Sequence, residues 1–184
     1  MQIKTGYLYH IKDEYFNKIN DKNLMQNHER GKKRPTYFTI KDGKILWFIP
    51  VNSKVDKYKK IVNNKIKKYG FCNTILIEKI FEEESAILIQ NTFPTLEKYI
   101  DHVHIKDGKP ARVPEKLEKI IYKDFKEVME LHNRGIKVFF TDIDKLKQQM
   151  LDEIDEKISN WIICQDMIKY HIDVNFLAYE RCEQ

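Results

Sequence analysis

An amide, a hydroxyl and an ammonium stand in succession at Asn52-Ser53-Lys54, directly after the apolar run Trp47-Phe48-Ile49-Pro50-Val51. The run reads as a strand ending at Pro50, and a strongly basic helix follows it. The three polar residues therefore fall at a helix N-terminus, where main-chain N–H groups point outward with partial positive charge and bind anions such as phosphate. Side chains of these types beside such a terminus suit the chemistry of a phosphate ester. Two readings of Ser53 are open: a phosphate ligand, or an N-cap in a Ser-x-x-Asp pattern with Asp56. Lys54 opposes the helix dipole, an arrangement that becomes favourable when an anion lies between them.

His28, in Gln26-Asn27-His28-Glu29-Arg30-Gly31-Lys32-Lys33-Arg34, could move protons during phosphodiester cleavage, with the surrounding cations holding a phosphate backbone. A solvated loop is the competing reading. His10 is a weaker candidate at the end of the first strand. His102 and His104 alternate along a strand and share a face, but no third ligand for a metal follows from their spacing. His132 and His171 fall in helical patterns, and Asp142 and Asp144 read as helix-start residues. No acidic cluster of the kind that holds two magnesium ions stands out, so if the chain is a nuclease, RNA cleavage without a metal is the better fit. In that chemistry the substrate's own 2′-OH attacks the neighbouring phosphate. The protein orients that hydroxyl, takes its proton, stabilises the developing charge and protonates the leaving oxygen.

The elements that must position these residues follow from pattern. Ile3–Ile11 reads as a strand, and 12–33 as a long loop with room for a short helix. Pro35–Ile40 and Lys44–Pro50 flank Asp42-Gly43, the strongest hairpin signal in the chain. A helix runs from Ser53 to a stop at Gly70. Asn73–Phe81 and Ser85–Gln90 make a second hairpin around 82–84, followed by a Thr-Phe-Pro turn. Tyr99–Ile105 is a weaker strand, closed by Asp107-Gly108. A helix spans Pro114–Arg134, Ile136–Phe140 is a last short strand, and the chain from Thr141 onward is helical, in one or two pieces. Hairpins with helices between them specify an α+β domain and not a parallel sheet.

Net charge is +5, and residues 1–70 carry 17 Lys/Arg against 6 Asp/Glu while the remainder is acidic on balance. Such asymmetry suits a binder of polyanions, and the interleaved Tyr7, Tyr9, Tyr37, Tyr58 and Tyr69 could stack on unpaired bases. A plain preference for lysine on the surface would give the same count. At 184 residues the chain is expected to form one domain. Cys72, Cys164 and Cys182 show no zinc-ligand spacing, and no run of 18 apolar residues or leader occurs, which points to a reducing cytoplasm.

Lys33-Arg34-Pro35-Thr36-Tyr37-Phe38, Trp47 to Tyr58, Ile89-Gln90-Asn91-Thr92-Phe93-Pro94 and Arg134 to Phe140, in this order, resemble type III toxin–antitoxin endoribonucleases. The resemblance is to the CptN/TenpN branch, related to ToxN and AbiQ, and covers about residues 3–150. It implies a compact, twisted antiparallel sheet of the SH3-like barrel type found in MazF- and Kid-like toxins, with inserted and C-terminal helices. It implies metal-independent, sequence-specific cleavage of single-stranded RNA to a 2′,3′-cyclic phosphate, with no cofactor, in defence against phage. It also implies inhibition by a repeat-encoded pseudoknot RNA that the toxin itself processes, in an assembly with several toxin copies and no protein antitoxin.

The family's Pro-x-[Thr/Ser]-Ser-x-Lys-like segment matches Pro50 to Lys54. ToxN has one more residue between its serine and lysine, and Asn52 stands where relatives often carry Thr or Ser. Carried over, Ser53 and Asn52 would hold the scissile phosphate or the 2′-OH and Lys54 would stabilise charge. His28 or Lys33 would transfer protons, and Tyr9, Lys32, Arg34, Tyr37, Lys57 and Tyr58 would bind RNA. The alternative is a non-catalytic RNA-binding module using the same basic face.

Overall fold

Trp47 and Phe48, neighbours in the most buried strand, face opposite sides of one sheet and so fix its two layers. A computed structural model of the chain describes residues 2–25, 27–29, 32–33 and 35–158, with backbone alone described at 29, 32, 33 and 37–39. Two compact units divide the chain, Met1–Lys147 and Gln148–Gln184. Among the described residues, the first contains all the strands.

In chain order the elements are β1 (Leu8–Ile11), α1 (Asp13–Ile19), β2 (His28–Glu29), β3 (Lys32–Lys33), β4 (Thr36–Asp42), β5 (Ile45–Asn52), α2 (Val55–Tyr69), β6 (Leu76–Ile80), β7 (Glu83–Ile87), β8 (Phe93–Leu96), β9 (Ile100–Val103), β10 (Ile105–Lys106), β11 (Lys109–Pro110) and α3 (Glu115–Asn133). Residues 143–158 are also helical. The main sheet is curled and antiparallel, in the order β6-β7-β5-β4-β1-β9, with β8 added to β5. β5 takes three partners because its two halves pair differently on one edge: residues 45–48 with β8, Val51 and Asn52 with β7.

All eight residues of β5 are buried, which explains its continuous apolar run where a one-sided strand would alternate. On one face Phe48 meets Tyr9 edge-on at 6.0 Å and stacks with Phe93 at 6.3 Å, and Tyr15 of α1 closes this layer. On the other face Trp47 meets Phe125 of α3 at 6.2 Å. α3 presents Leu117, Ile121, Phe125 and Val128, spaced as one helical stripe, to the interior.

The antiparallel α+β architecture and the hairpin at Asp42-Gly43 match the expectations from sequence, although Asp42 pairs with Ile45 and the two-residue turn is Gly43-Lys44. Asp107-Gly108, read as the close of a strand, makes a two-residue hairpin between β10 and β11, with positive φ at both residues, 51° and 74°, as its twist requires. Several boundaries differ. β1 starts at Leu8, with Tyr7 in a lone bridge to Arg112, and β5 continues to Asn52. The loop 12–33 holds α1 and the β2–β3 hairpin. The second hairpin turns one residue earlier, at Phe81-Glu82, where Phe81 takes φ 61°.

Thr92-Phe93-Pro94 leads into a strand, not a turn. Pro94 pairs with Trp47 at the sheet edge, where its missing N–H costs little, and its carbonyl accepts the Tyr15 hydroxyl at 2.6 Å. Residues 136–140 form no strand. Helix from Thr141 onward is present over 143–158, and anything beyond lies outside the described residues, as do Cys164, Cys182 and His171.

Candidate nucleic-acid site

The corner where β5 becomes α2 is organised by Asn52. Its side chain is buried, only 5% exposed. Oδ1 accepts the Lys54 backbone N–H at 2.8 Å, and Nδ2 donates to the Tyr58 hydroxyl at 3.4 Å. Ser53 is not the N-cap. Lys54 occupies that position with no side-chain cap, and the Ser53 carbonyl accepts Val55 N–H at 2.9 Å. The Ser-x-x-Asp pattern is therefore unused. Asn52 supplies an Asx turn one residue earlier, which satisfies the local backbone without the serine hydroxyl. Ser53 and Lys54 are exposed, and the Ser53 hydroxyl has no hydrogen-bond partner among the described residues. An uncapped helix start beside an unengaged hydroxyl and a lysine is a surface that can receive an anion.

Strand register brings other residues to the same end of the sheet. Pro50 pairs with Thr36, and Thr36 with Tyr9, so the next row contains Val51, Pro35 and His10, and His10 in turn pairs with His102. The Val51 N–H reaches the Pro35 carbonyl at 3.4 Å. Residues in one row share a face. Ser53 follows in a bend just past the end of β5, while the Asn52 side chain turns toward Tyr58.

His28 reaches this end through its neighbours. Asn27, buried, donates from Nδ2 to the Ile11 carbonyl at 3.0 Å and to Asp13 Oδ1 at 2.5 Å. The same Asp13 oxygen accepts from His28 Nε2 at 2.7 Å, with both side chains about half exposed. A carboxylate that accepts from Nε2 fixes the tautomer whose Nδ1 carries the lone pair. The arrangement is that of an oriented acid–base group. Asp13 sits 15 residues from His28, so no local pattern in the sequence links the two; Asn27, bonded to both the Ile11 carbonyl and Asp13, brings them together.

The other candidates divide. Lys33 lies opposite His28 in the β2–β3 pairing, Lys32 opposite Glu29, and Tyr37 opposite Ile49 and Leu8; only their backbones are described. Arg34 lies outside the described residues. Lys57 is exposed on α2, its Nζ 5.6 Å from the Tyr58 ring centre. Two aromatic candidates are corrected. Tyr9 is 2% exposed, packs on Phe48, and exchanges hydrogen bonds with the Lys4 backbone at 2.9 and 3.1 Å. Burial, the largest influence, raises its hydroxyl above the ordinary range. Tyr58 is buried with Ile75, Ala86 and Leu88. Neither ring has a face open to a base, because the apolar demand of the core outweighs the cations beside them in sequence. His132 pairs with Asp144 at 2.9 Å and packs against Phe139, a structural role as read from its helical position.

No protein-family model matches the chain, and no curated protein matches it significantly. Solved structures do. AbiQ, a lactococcal anti-phage endoribonuclease of the type III toxin–antitoxin system, superimposes with a TM-score of 0.66 at 13% identity, over 83% of this chain and 99% of AbiQ. A protein of a bacterial type III toxin–antitoxin system, described for selective toxin inhibition by a non-coding RNA pseudoknot, gives 0.60 at 15% identity, over 82% and 98%. Identities this low establish a shared fold, and the chain has the fold of these type III toxin–antitoxin proteins along nearly their whole length.

Proposed function

We propose that this protein is the endoribonuclease toxin of a type III toxin–antitoxin system, of the CptN/TenpN branch. The observation that carries the reading is the Asn52-Ser53-Lys54 corner, a buried amide presenting an exposed hydroxyl and ammonium at a helix start, on a fold shared with AbiQ. The curled sheet is then a variant of the SH3-like barrel of MazF- and Kid-like toxins.

The substrate is single-stranded RNA, including cellular mRNA. Its scissile phosphate lies against Ser53 and the first amides of α2, with Lys54 placed to stabilise charge on the non-bridging oxygens. Attack by the 2′-OH forms the 2′-oxygen–phosphorus bond and breaks the bond to the 5′-oxygen, leaving a 2′,3′-cyclic phosphate and a 5′-hydroxyl. The proton leaving the 2′-OH goes to a base, and the 5′-oxygen receives one. His28, oriented by Asp13, and Lys33 on the paired strand are the residues assigned to these transfers. The chemistry requires no metal or cofactor. The inhibitor is a folded RNA processed by the toxin and bound to several toxin copies, and the setting is the bacterial cytoplasm.

Incubation of purified protein with end-labelled RNA, with and without excess EDTA, tests the reading. Cleavage that persists in EDTA and leaves cyclic-phosphate ends is expected. Binding without cleavage would instead identify a non-catalytic RNA-binding module.

A further inference from the structure

β1 and β9 bring two imidazoles into contact with a third, His10, at the same end of the sheet. His10 Nε2 and His104 Nδ1 lie 2.9 Å apart, His10 stacks on His102 at 4.6 Å, and the His10 and His104 rings meet at 5.0 Å. The cause is topological. His10 pairs with His102, His104 alternates onto the same face, and its backbone N–H donates to the Leu8 carbonyl at 2.7 Å, holding it against β1. His10 is buried, His104 half-buried, and His102 exposed.

Packing alone does not call for this grouping. Two imidazoles facing nitrogen to nitrogen hold one proton between them, one ring donating and the other accepting. Further protonation puts like charges in contact in a partly desolvated place. Burial, then His102, then Lys106 hold His104 below the ordinary histidine range. Asp101 lies 3.3 Å from His102, while the row neighbour on the β4 side, Pro35, carries no charge. Among the described residues no group of three His, Cys, Asp or Glu side chains is arranged to hold a metal ion. An anion is the partner that would make protonation of this cluster favourable.

We propose that His10, His102 and His104 form a proton-gated subsite for a backbone phosphate of the bound RNA, flanking the Ser53–Lys54 corner. The proposal rests on the endoribonuclease reading. His10 stands two strand spacings from Val51, roughly 10 Å, so the cluster meets a phosphate next to the scissile one. Neutral rings offer only N–H donors; a protonated ring adds a cation. Phosphate binding raises the cluster's proton affinity, so RNA binding takes up protons and tightens as pH falls.

A 2′-O-methyl RNA oligonucleotide of mixed sequence cannot be cleaved by its own 2′-oxygen and serves as the probe. Its affinity is measured at about pH 8 and about pH 6, either side of the ordinary histidine range, at constant ionic strength. Wild type should bind about tenfold tighter at the lower pH, the scale of one proton taken up across a single pH unit. His102→Gln, an exposed substitution, and His104→Gln should each lose most of this dependence, and His132→Gln should keep it. Affinity indifferent to pH in wild type overturns the proposal. So does a dependence that survives in both cluster variants, or one abolished by His28→Gln while they retain it. Cleavage of unmodified RNA, followed in parallel, separates the two claims: cleavage with pH-indifferent binding removes the subsite alone, whereas neither binding nor cleavage removes the endoribonuclease reading as well.

Discussion

Asn52 Oδ1 holds the backbone N–H of Lys54 at 2.8 Å, so the residue before Ser53 shapes the start of α2. The serine hydroxyl is thereby spared a structural duty. Ser53→Ala should leave thermal stability within about 0.5 kcal/mol of wild type, as for an exposed residue without a special contact. The rate of RNA cleavage should drop by about 10² or more in Ser53→Ala and in Lys54→Ala, the scale of losing one preorganised donor. Single-turnover kinetics and a melting curve on the same preparations decide. A stability loss near 1 kcal/mol with full activity would return Ser53 to the role of a cap.

Asn52→Ala should behave in the opposite way. The substitution leaves the Lys54 amide without its acceptor and removes a partner of the Tyr58 hydroxyl in a buried corner. A loss of about 1–3 kcal/mol is expected, measured by urea denaturation, with activity falling as the corner loosens. A stable Asn52→Ala protein would mean that α2 starts correctly without the Asx turn.

The Asp42-Gly43 hairpin, α2 with its Gly70 stop, and α3 were legible because each is written locally, as a turn dipeptide or as an apolar period of the right length. Pro94 misled because proline reads as a turn until its strand is known to lie on an edge. Tyr9 and Tyr58 misled because a tyrosine among lysines looks the same in sequence whether its ring faces solvent or core. His102 and His104 could be placed on one face by alternation, but His10 joins them only through pairing between strands about 90 residues apart. Asp13 likewise becomes a partner of His28 only in three dimensions.

The Asp13–His28 pair is exposed, and exposed ion pairs add little to stability, typically below about 1 kcal/mol. If its purpose is to orient the imidazole, Asp13→Asn should lower the cleavage rate about 10-fold or more while the melting temperature hardly moves. Asp13→Asn and His28→Gln should be strongly non-additive in rate, since each disables the same unit. Independent, additive effects in a double-mutant cycle would show that Asp13 does not act through His28.

Stability should also carry a signature from Asp124 on α3. Burial, reinforced by Glu127 and only partly offset by Lys123, raises its carboxyl to about 6 from 3.8. Between these two values the folded protein binds more protons than the unfolded chain, so this group's contribution to stability weakens as pH rises through that window. Asp124→Asn should therefore raise the melting temperature at neutral pH, and the gain should shrink through the window and vanish well below 3.8, where both states are protonated. An equal gain at both pH values would mean that the effect is not electrostatic.

An inhibitor RNA held at the proposed Ser53–Lys54 corner needs no second inhibitory surface. If the antitoxin's ends are products of the toxin's own cleavage, they occupy the Ser53–Lys54 corner after the reaction. The fold of that RNA holds them in place, and its further phosphate contacts slow dissociation. On the proposed mechanism Ser53 contributes to the reaction but to few of those contacts. Ser53→Ala protein should thus bind the mature RNA within a few-fold of wild-type affinity while leaving a repeated precursor uncut, as read by filter binding and by gel analysis of the precursor. Charge reversal at Lys54 together with Lys57, exposed on the first turn of α2, should weaken both substrate and inhibitor in parallel. Were the inhibitor to bind undiminished while substrate binding collapsed, the two RNAs would occupy different surfaces and a shared site would be the wrong account.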